Sequence, residues 1–273
     1  MSPFDLTNLA AVKAWLGLPS AAGPNDATLA ALVTAASRSI YAALSRPSLL
    51  PQSYAETIDL ETRRVTLRQW PVIAVTSVTW RGIVVPPDHN ADLEASVGYA
   101  LEPGDGIPPG RPQALDLFGH QYRPGRQSLV LSYSAGYAVQ NEAQTIPAAA
   151  PLQLIAFSPY GPWGSDLVVT YAATGAPLTP VASSPGVGQY SVSSGAYGFS
   201  AADAGRSVSI SYGYVPQDIV QAALELAAER FRAAERIGLR SKSMGGQETI
   251  AYDMGAMSAP IQAMLQPYKR VAL

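Results

Sequence analysis

Apolar positions recur at helical spacing near both ends of the chain and alternate through its middle, which predicts an α+β protein. Leu9, Val12 and Leu16 stand at i, i+3 and i+7 with Trp15 alongside, behind Thr7 as the expected N-cap and ahead of Gly17 as the stop. After a Gly-Pro linker, Asn25 or Asp26 caps a second helix with the apolar face Leu29, Leu32, Val33, Ala36, Ile40 and Leu44, and Arg46-Pro47 ends it. A third helix is predicted from Pro216 to Ile237, with Asp218 in its first turn and Gly238 as its close. Ile219, Ala222, Ala223, Leu226, Ala227 and Arg230 lie along one face, of which Ile219, Ala223, Leu226 and Ala227 are expected to pack on residues 29–44. Glu225, Glu229, Arg232, Glu235 and Arg236 lie elsewhere, spaced for ion pairs. A short last helix starts near Ser258 and stops at Pro267.

Between the helices the pattern is β. Ser53–Ile58, Arg63–Gln69 and Val72–Trp80 alternate or carry β-branched residues, Arg81-Gly82 turns the chain into Ile83–Val85, and Trp70-Pro71 breaks the meander. Residues 86–127 are turn-dense and predict a long ordered loop with one strand near Ala114–Phe118, before Leu129–Tyr133 returns to the sheet. Two segments, Leu129–Tyr137 and Val208–Tyr214, are near-copies of one strand ending, Tyr-Ser-Ala-Gly-Tyr and Ser-Tyr-Gly-Tyr, and only the second runs into a helix. That doubling predicts an interrupted strand-to-helix junction, with an inserted β module whose short strands are Leu152–Phe157, Leu167–Tyr171, Gln189–Val192 and Ala196–Phe199. The expected organisation is therefore a small helical bundle with a β meander and long loop (1–136), an inserted all-β module (137–213), a core helix (214–239) and an extended C-terminal arm (240–273).

Composition narrows the chemistry. The 273 residues are 48% hydrophobic and 14% charged, which excludes a disordered chain. With no cysteine there is no disulfide, thiolate metal site or thiol nucleophile, as suits assembly in a reducing cytoplasm. Residues 1–6 show no basic region followed by an apolar run and no run of about 18 uncharged apolar residues occurs, so neither export nor membrane insertion is expected. A formal charge of −2 gives no reason to grip nucleic acid, although DNA could pass such a surface. His89 and His120 sit in no ligand pattern, and Asp88, Asn90, Asp92 and Glu94 begin like a calcium loop but place Leu93 and Tyr99 where glycine and glutamate are needed. Gly104-Asp-Gly106 and Gly186-Val-Gly188 lack the strand-then-helix context of a phosphate cradle. Acids fall on a solvated helix face or in loops, so no catalytic, cofactor or metal site is expected and the chain reads as no enzyme. Tyr133, Tyr137, Tyr171, Tyr212 and Tyr214 punctuate strand ends, either as half-buried sheet rims or as a platform for stacking sugars. Arg230, Arg232, Arg236, Arg240 and Lys242 are interleaved with acids and read as a salt-bridged face.

Three parts of the chain together resemble the head-to-tail connector proteins of tailed bacteriophages, the portal adaptor or head-completion family. They are Leu9–Gly17 with the helix ending Ile40–Pro47; Leu67-Arg-Gln-Trp-Pro-Val-Ile73 with Val75–Thr79; and Ser211–Pro216 leading into the long helix and on to Gly238–Gly246. The resemblance covers about residues 5–85, 129–136 and 208–270, while the 86–127 loop and the 137–213 module depart from the family's minimal form. It implies a structural virion protein at the head–tail junction, assembled in the host bacterial cytoplasm, forming a homo-oligomeric ring of twelve copies. Its partners would be the portal protein and a downstream stopper or tail component, with DNA passing through without sequence-specific contact and no membrane. On that reading the segment Arg240–Leu273 is the arm that meets the portal or a neighbouring subunit, and is poorly ordered in the isolated protein. Gly245 and Gly246 are its hinge; Lys242, Glu248, Ile250 and Tyr252 lie on or beside an extended run suited to strand addition; Ile261, Met264, Leu265 and Tyr268 belong to a last helix that needs a surface to dock on. The alternative for that helix is to fold back on its own core. The competing functions are a carbohydrate- or receptor-binding module of a phage tail, resting on the tyrosines, and a cell-wall hydrolase, which would need an acid pair or a metal.

Overall fold

The computed structural model describes residues 5–87, 97–106, 110–119, 122–233 and 257–270, and residues 241–244 and 248–251 as backbone. Contacts divide it into two compact units, 5–47 with 216–270, and 48–215.

The first unit is helical. It contains α1 (Leu9–Leu16), α2 (Asp26–Leu44), α3 (Gln217–Ala233) and α4 (Ala259–Leu265). Asn8, one residue later than expected, caps α1: its Oδ1 accepts from the Ala11 amide at 2.8 Å, while Thr7 is turned inward and buried. Gly17 ends α1 in the left-handed conformation at φ 70°. Lys13 is buried, and its charge is met by the Ala21 carbonyl at 2.5 Å and by Asp26 at 2.9 Å, which ties α1 to the first turn of α2. The expected apolar face of α2 is inside, except that Leu32 is half-buried. By length and composition α2 could cross a membrane, but here Leu29, Val33, Ala36, Ile40 and Leu44 are buried as in a core helix.

The spine of this unit is α3, which contacts α1, α2 and α4. Ile219, Ala222, Ala223, Leu226 and Ala227 are at most 1% exposed, as their spacing predicts. On the outer face Glu235 and Arg236 lie outside the described residues, and among those described α3 forms no ion pair within itself. Gln221 instead donates to Glu225 at 2.7 Å, while Arg230, at the end of the inward face, reaches Ser39 Oγ on α2 at 2.8 Å. The expected last turn of this helix, including Gly238, lies outside the described residues.

The second unit is all β and holds two hydrophobic clusters. Strands β1 (Gln52–Leu60), β2 (Arg64–Thr66), β3 (Val72–Trp80), β4 (Ile83–Val85), β5 (Gly98–Leu101), β6 (Ala114–Phe118) and β7 (Gly125–Ala135) form a four-stranded sheet ordered β1-β7-β3-β4 and a three-stranded sheet ordered β2-β6-β5. Leu60, Leu67, Val78, Leu115, Leu129 and Leu131 are buried with their neighbours in one cluster. Among its described residues the 86–127 segment holds a second strand besides the expected Ala114–Phe118. Its β5, hidden from a pattern search by its Gly-Tyr-Ala-Leu sequence, pairs with β6 from Gly98↔Phe118 to Leu101↔Leu115.

The rest of this unit comprises β8 (Ala138–Thr145), β9 (Gln153–Ile155), β10 (Trp163–Tyr171), β11 (Thr179–Pro180), β12 (Gln189–Ser193), β13 (Ala196–Phe199) and β14 (Ser207–Tyr214). They form sheets ordered β10-β14-β8 and β11-β12-β13-β9, pairing only among themselves among the described residues. The second cluster is theirs: Ile146, Val169, Tyr190, Tyr197, Val208, Ile210 and Tyr212 are all at most 1% exposed. Residues 138–214 therefore have their own sheets and core, but contacts group them with the meander, whereas the sequence reading joined the meander to the helices.

The near-copied strand endings meet where the module joins the meander. The Tyr214 amide donates to the Tyr137 carbonyl at 3.0 Å, and the two rings stand edge to face at 5.9 Å. Trp70 packs on Tyr137 at 6.2 Å and Tyr160 on Tyr214 at 5.6 Å, making a line of four aromatic rings. Leu49 to Pro51 cross this seam. The Tyr137 amide donates to the Leu49 carbonyl at 2.9 Å, and a Cβ at Gly136 would stand 2.5 Å from the Pro51 nitrogen. At Gly213 it would stand 2.5 Å from Pro51 Cδ, and at Gly164 it would strike the Leu50 side chain. Three glycines from three strand ends thus clear one passage for the chain.

Finally, β15 (Ser241–Met244) and β16 (Glu248–Ala251) pair antiparallel from Ser241↔Ala251 to Met244↔Glu248. They form a sheet of two strands, joined to no third among the described residues.

Candidate functional site

The C-terminal segment was expected to carry the contacts of this protein, and the structure splits it in two. Its last helix is docked. Ile261 and Leu265 are buried, α4 contacts α2 and α3, and the Tyr268 hydroxyl donates to Asp218 at 2.9 Å. The Arg270 amide reaches the Leu44 carbonyl at 2.9 Å. Ile261, Leu265 and Tyr268 therefore serve the helical unit's own core and rim, which corrects the expectation of a free arm. The physical reason is area: an apolar side chain gains about 1.5–3 kcal/mol on full burial, and the alanine-rich surface of α3 lets a short helix approach closely. Met264 on the same helix is half-buried.

The other half is the hairpin. Lys242 lies on β15, and Glu248 and Ile250 lie on β16, where Ile250 is the register partner of Lys242. The run Glu248–Tyr252 was expected to be extended and to add to another chain's sheet. It is extended over Glu248–Ala251, but its first partner is its own neighbour β15. Gly245, Gly246 and Tyr252 lie outside the described residues. An isolated two-stranded hairpin is marginal in water, because each strand satisfies only one side of its backbone. Among the described residues β15–β16, which lies in sequence between α3 and α4, pairs with no third strand.

The tyrosines answer a different question. Tyr133, Tyr137, Tyr212 and Tyr214 are at most 1% exposed, so the rings that were candidates for stacking sugars are inside. Tyr171, also a candidate, lies half-buried with Arg206 over its ring at 5.2 Å. Three of these hydroxyls, and those of Tyr190 and Tyr197, are bound to carboxylates. Tyr133 donates to Glu56 at 2.8 Å, Tyr171 to Asp203 at 2.6 Å and Tyr212 to Glu142 at 2.5 Å. Tyr190 and Tyr197 share Asp166, at 2.6 and 3.1 Å. Burial raises the pKa of Tyr133, Tyr190 and Tyr197 well above that of a free phenol, and pushes Tyr212 up to about 12, with the hydrogen bond to Glu142 adding to the effect. Each phenol is therefore a hydrogen-bond donor at neutral pH and no candidate base.

These acids were expected on a helix face or in loops, and the structure corrects that. Asp166 and Glu142 are in β10 and β8, and Asp203, in a 3-10 turn at Ala201–Asp203, is fully buried. Asp203 also accepts from the Gly188 amide at 3.0 Å and lies 3.5 Å from Arg206. Glu142 accepts from the Phe157 amide at 3.1 Å, and the Ser158 amide donates to the Tyr212 hydroxyl at 2.9 Å. The Asp203 and Glu142 pairs pin loops to strands, while Glu56 and Asp166 join strand to strand. Sequence reasoning missed this because neither partner stands at a fixed spacing from the other: the separations run from 24 to 77 residues.

Among the described residues no group of three or more His, Asp or Glu could hold a metal ion. His89, His120 and the acidic run Asp88 to Glu94 lie outside them. The glycines of Gly186-Val-Gly188 sit in the loop before β12, where the Gly186 amide donates to Gln189 Oε1 at 3.0 Å, as turn glycines do.

No family model and no curated protein matches the chain. Among solved structures, a chain in the neck of an empty gene transfer agent particle, computed with C6 symmetry, is similar at 15% identity and a TM-score of 0.39, over 100% of this chain and 94% of that one. A chain in the virion of a native gene transfer agent particle is similar at 13% identity and a TM-score of 0.40, with the same coverage.

Proposed function

We propose that this protein is a structural subunit of an adaptor ring at the head–tail junction of a tailed phage. Twelve copies would bind beneath the portal and offer a platform to the stopper or next tail component, around a conduit that DNA passes without sequence-specific contact. The reading rests on the resemblance of three sequence segments to connector proteins. In the fold, those segments build α1 and α2, β3 with the chain before it, and the passage from β14 into α3.

The observation that carries the proposal is the β15–β16 hairpin, a sheet of two strands flanked in sequence by helices that are already packed. A hairpin with both outer edges open gains by adding to a strand of another chain, whether the portal or a neighbouring copy. Ring subunits associate head to tail through two different surfaces, which needs one projecting element and one receiving element per copy. The proposal is tested by negative-stain electron microscopy of the purified chain with portal rings. A second ring stacked on the portal is expected. Replacement of residues 241–251 by a Gly-Ser linker of equal length should abolish it while the helical circular dichroism stays unchanged. Stacked rings that persist with the linker would overturn the hairpin's role, and no ring with the intact chain would overturn the reading.

A further inference from the structure

The sheets of the β unit protect their edges, with one exception. Strands β2, β4 and β9 have three residues each, β5 has four, and β11 has two and includes Pro180. The longer edges are bulged: β8 carries an extra residue near Asn141, at φ 56°, and β10 carries two register shifts. Short length, proline and bulges are the devices by which proteins blunt an edge against pairing. Strand β1 is neither short nor proline-bearing, and its one register shift falls at its C-terminal end, between Ile58 and Leu60. It lies at the edge of its sheet, runs nine residues, and keeps an unbroken register with β7 from Gln52↔Ala135 to Ile58↔Leu129. Ser53, Ala55 and Thr57 on its outward face are exposed, small and uncharged. A groove of about 590 Å³ follows its C-terminal half, lined by Thr57, Ile58, Asp59, Glu61 and Gln127 among others.

We infer that β1 receives the β15–β16 hairpin of a second copy of this chain, a contact that rests on the ring reading and names its neighbour-to-neighbour joint. The hairpin is the only two-stranded sheet among the described residues, so each copy has one strand pair seeking an edge and one long regular edge to offer. Charge selects the strand and its direction. Lys242 lies on β15 with Arg240 just before it, whereas β16 begins at Glu248; Asp59 and Glu61 stand at the C-terminal end of β1. Antiparallel addition of β15 brings its basic start to that acidic end, and four residues of β15 fit within the seven regular residues of β1.

Because the chain has no cysteine, the contact can be read by engineered disulfides. Residues facing each other across an antiparallel pair have Cα atoms about 4.5–5.5 Å apart, within disulfide reach. Ser243→Cys is combined in turn with Ser53→Cys, Ala55→Cys and Thr57→Cys, the protein is oxidised mildly, and its assembly is followed in parallel by sedimentation velocity. At least one pair is expected to give a ladder of covalent multimers on a denaturing gel, while each single variant stops at dimer. Oligomers that sediment normally but yield no ladder with any pair would overturn this contact and leave the ring standing. A disulfide confined to one chain would overturn it too, as the hairpin's own β1 would then be the partner. Absence of oligomers from the uncrosslinked protein alone and with portal would overturn both.

Discussion

The passage cut by three glycines sets a quantitative test of the seam between meander and module. A methyl group at Gly213 would stand 2.5 Å from Pro51 Cδ and 2.5 Å from Ser165 Oγ, against about 3.5–4.0 Å for carbon atoms at ease. The overlap is about 1 Å on each side, and the proline ring cannot rotate away. Gly213→Ala should therefore cost about 1–3 kcal/mol by overpacking. At Gly136 the methyl would meet the backbone itself, the Pro51 nitrogen at 2.5 Å and the Leu50 carbonyl carbon at 2.6 Å, and φ is 146°. Steric overlap and a backbone region hostile to L-residues act together there, and the strain alone is about 1–3 kcal/mol, so Gly136→Ala should be the more costly of the two.

The two clashes differ in kind, and a second substitution separates them. Pro51→Ala removes the ring carbons that Gly213→Ala strikes but leaves the backbone that Gly136→Ala strikes. A double-mutant cycle by urea unfolding, followed through the fluorescence of Trp70, Trp80 and Trp163 in the β unit, should show a favourable coupling of about 0.5–3 kcal/mol for the pair 51/213 and little for 51/136. Unchanged midpoints for both alanine variants, or equal coupling in both cycles, would refute the geometry of the seam.

Tyr212, whose pKa burial and Glu142 push up to about 12, and the similarly raised Tyr133, Tyr190 and Tyr197 are neutral phenols in the fold, against about 10 when unfolded. Their contribution to stability is thus complete below pH ~10 and lost as pH rises through the raised folded-state values, about 12 for Tyr212, so absorbance at 295 nm should show them ionising together with unfolding; stepwise ionisation in a folded protein would refute this. Ala223→Leu, at a site with no exposed surface on α3, should lower the helical unit's stability by about 1–3 kcal/mol, and an unchanged thermal midpoint would show that the face is not packed. Joining Gly136 directly to Tyr214 should leave a helical, cooperatively unfolding protein, since 138–214 has its own sheets and cluster; loss of the near-UV circular dichroism of the remainder would show that the module is not separable.

What the sequence disclosed and what it hid follow from where the information resides. Val72–Trp80 and Ala196–Phe199 were legible as strands because their alternation or β-branched content is local, and α2 and α3 because a face of Leu, Ile and Ala repeats over several turns. Strand β8 was not legible. Ala138-Val-Gln-Asn-Glu-Ala-Gln-Thr145 reads as a polar loop, yet it pairs with β14, and Glu142 receives the Tyr212 hydroxyl there. Its amphipathicity is carried by a carboxylate whose partner is 70 residues away. The cap of α1 shows the same limit at short range: Thr7 and Asn8 are both good caps, and burial of Thr7 against the helical core decides for Asn8. The tyrosines marked strand ends correctly, but residue type does not say which way a ring faces. The same holds for Ile261 and Leu265, whose apolar spacing fits a docked helix as well as a free one.

The doubled ending of β7 and β14 invited a reading as an interrupted junction, and the structure gives it a physical cause. Both endings place glycine where Pro51 crosses, and both follow it with a tyrosine that closes over the crossing, Tyr137 under the Trp70 edge and Tyr214 against Tyr160. One connecting segment, Leu49 to Pro51, thus imposes the same demand on two strands from opposite ends of the module: no side chain at the contact, then a large ring beside it. Similarity of local sequence here reflects a shared neighbour. Any module inserted at this point of the meander would have to leave and return through a glycine and cover the gap with an aromatic ring, whatever strands it carried in between. The insertion is therefore constrained at its two ends by the segment it straddles, while its interior is held by tyrosine–carboxylate pairs of its own.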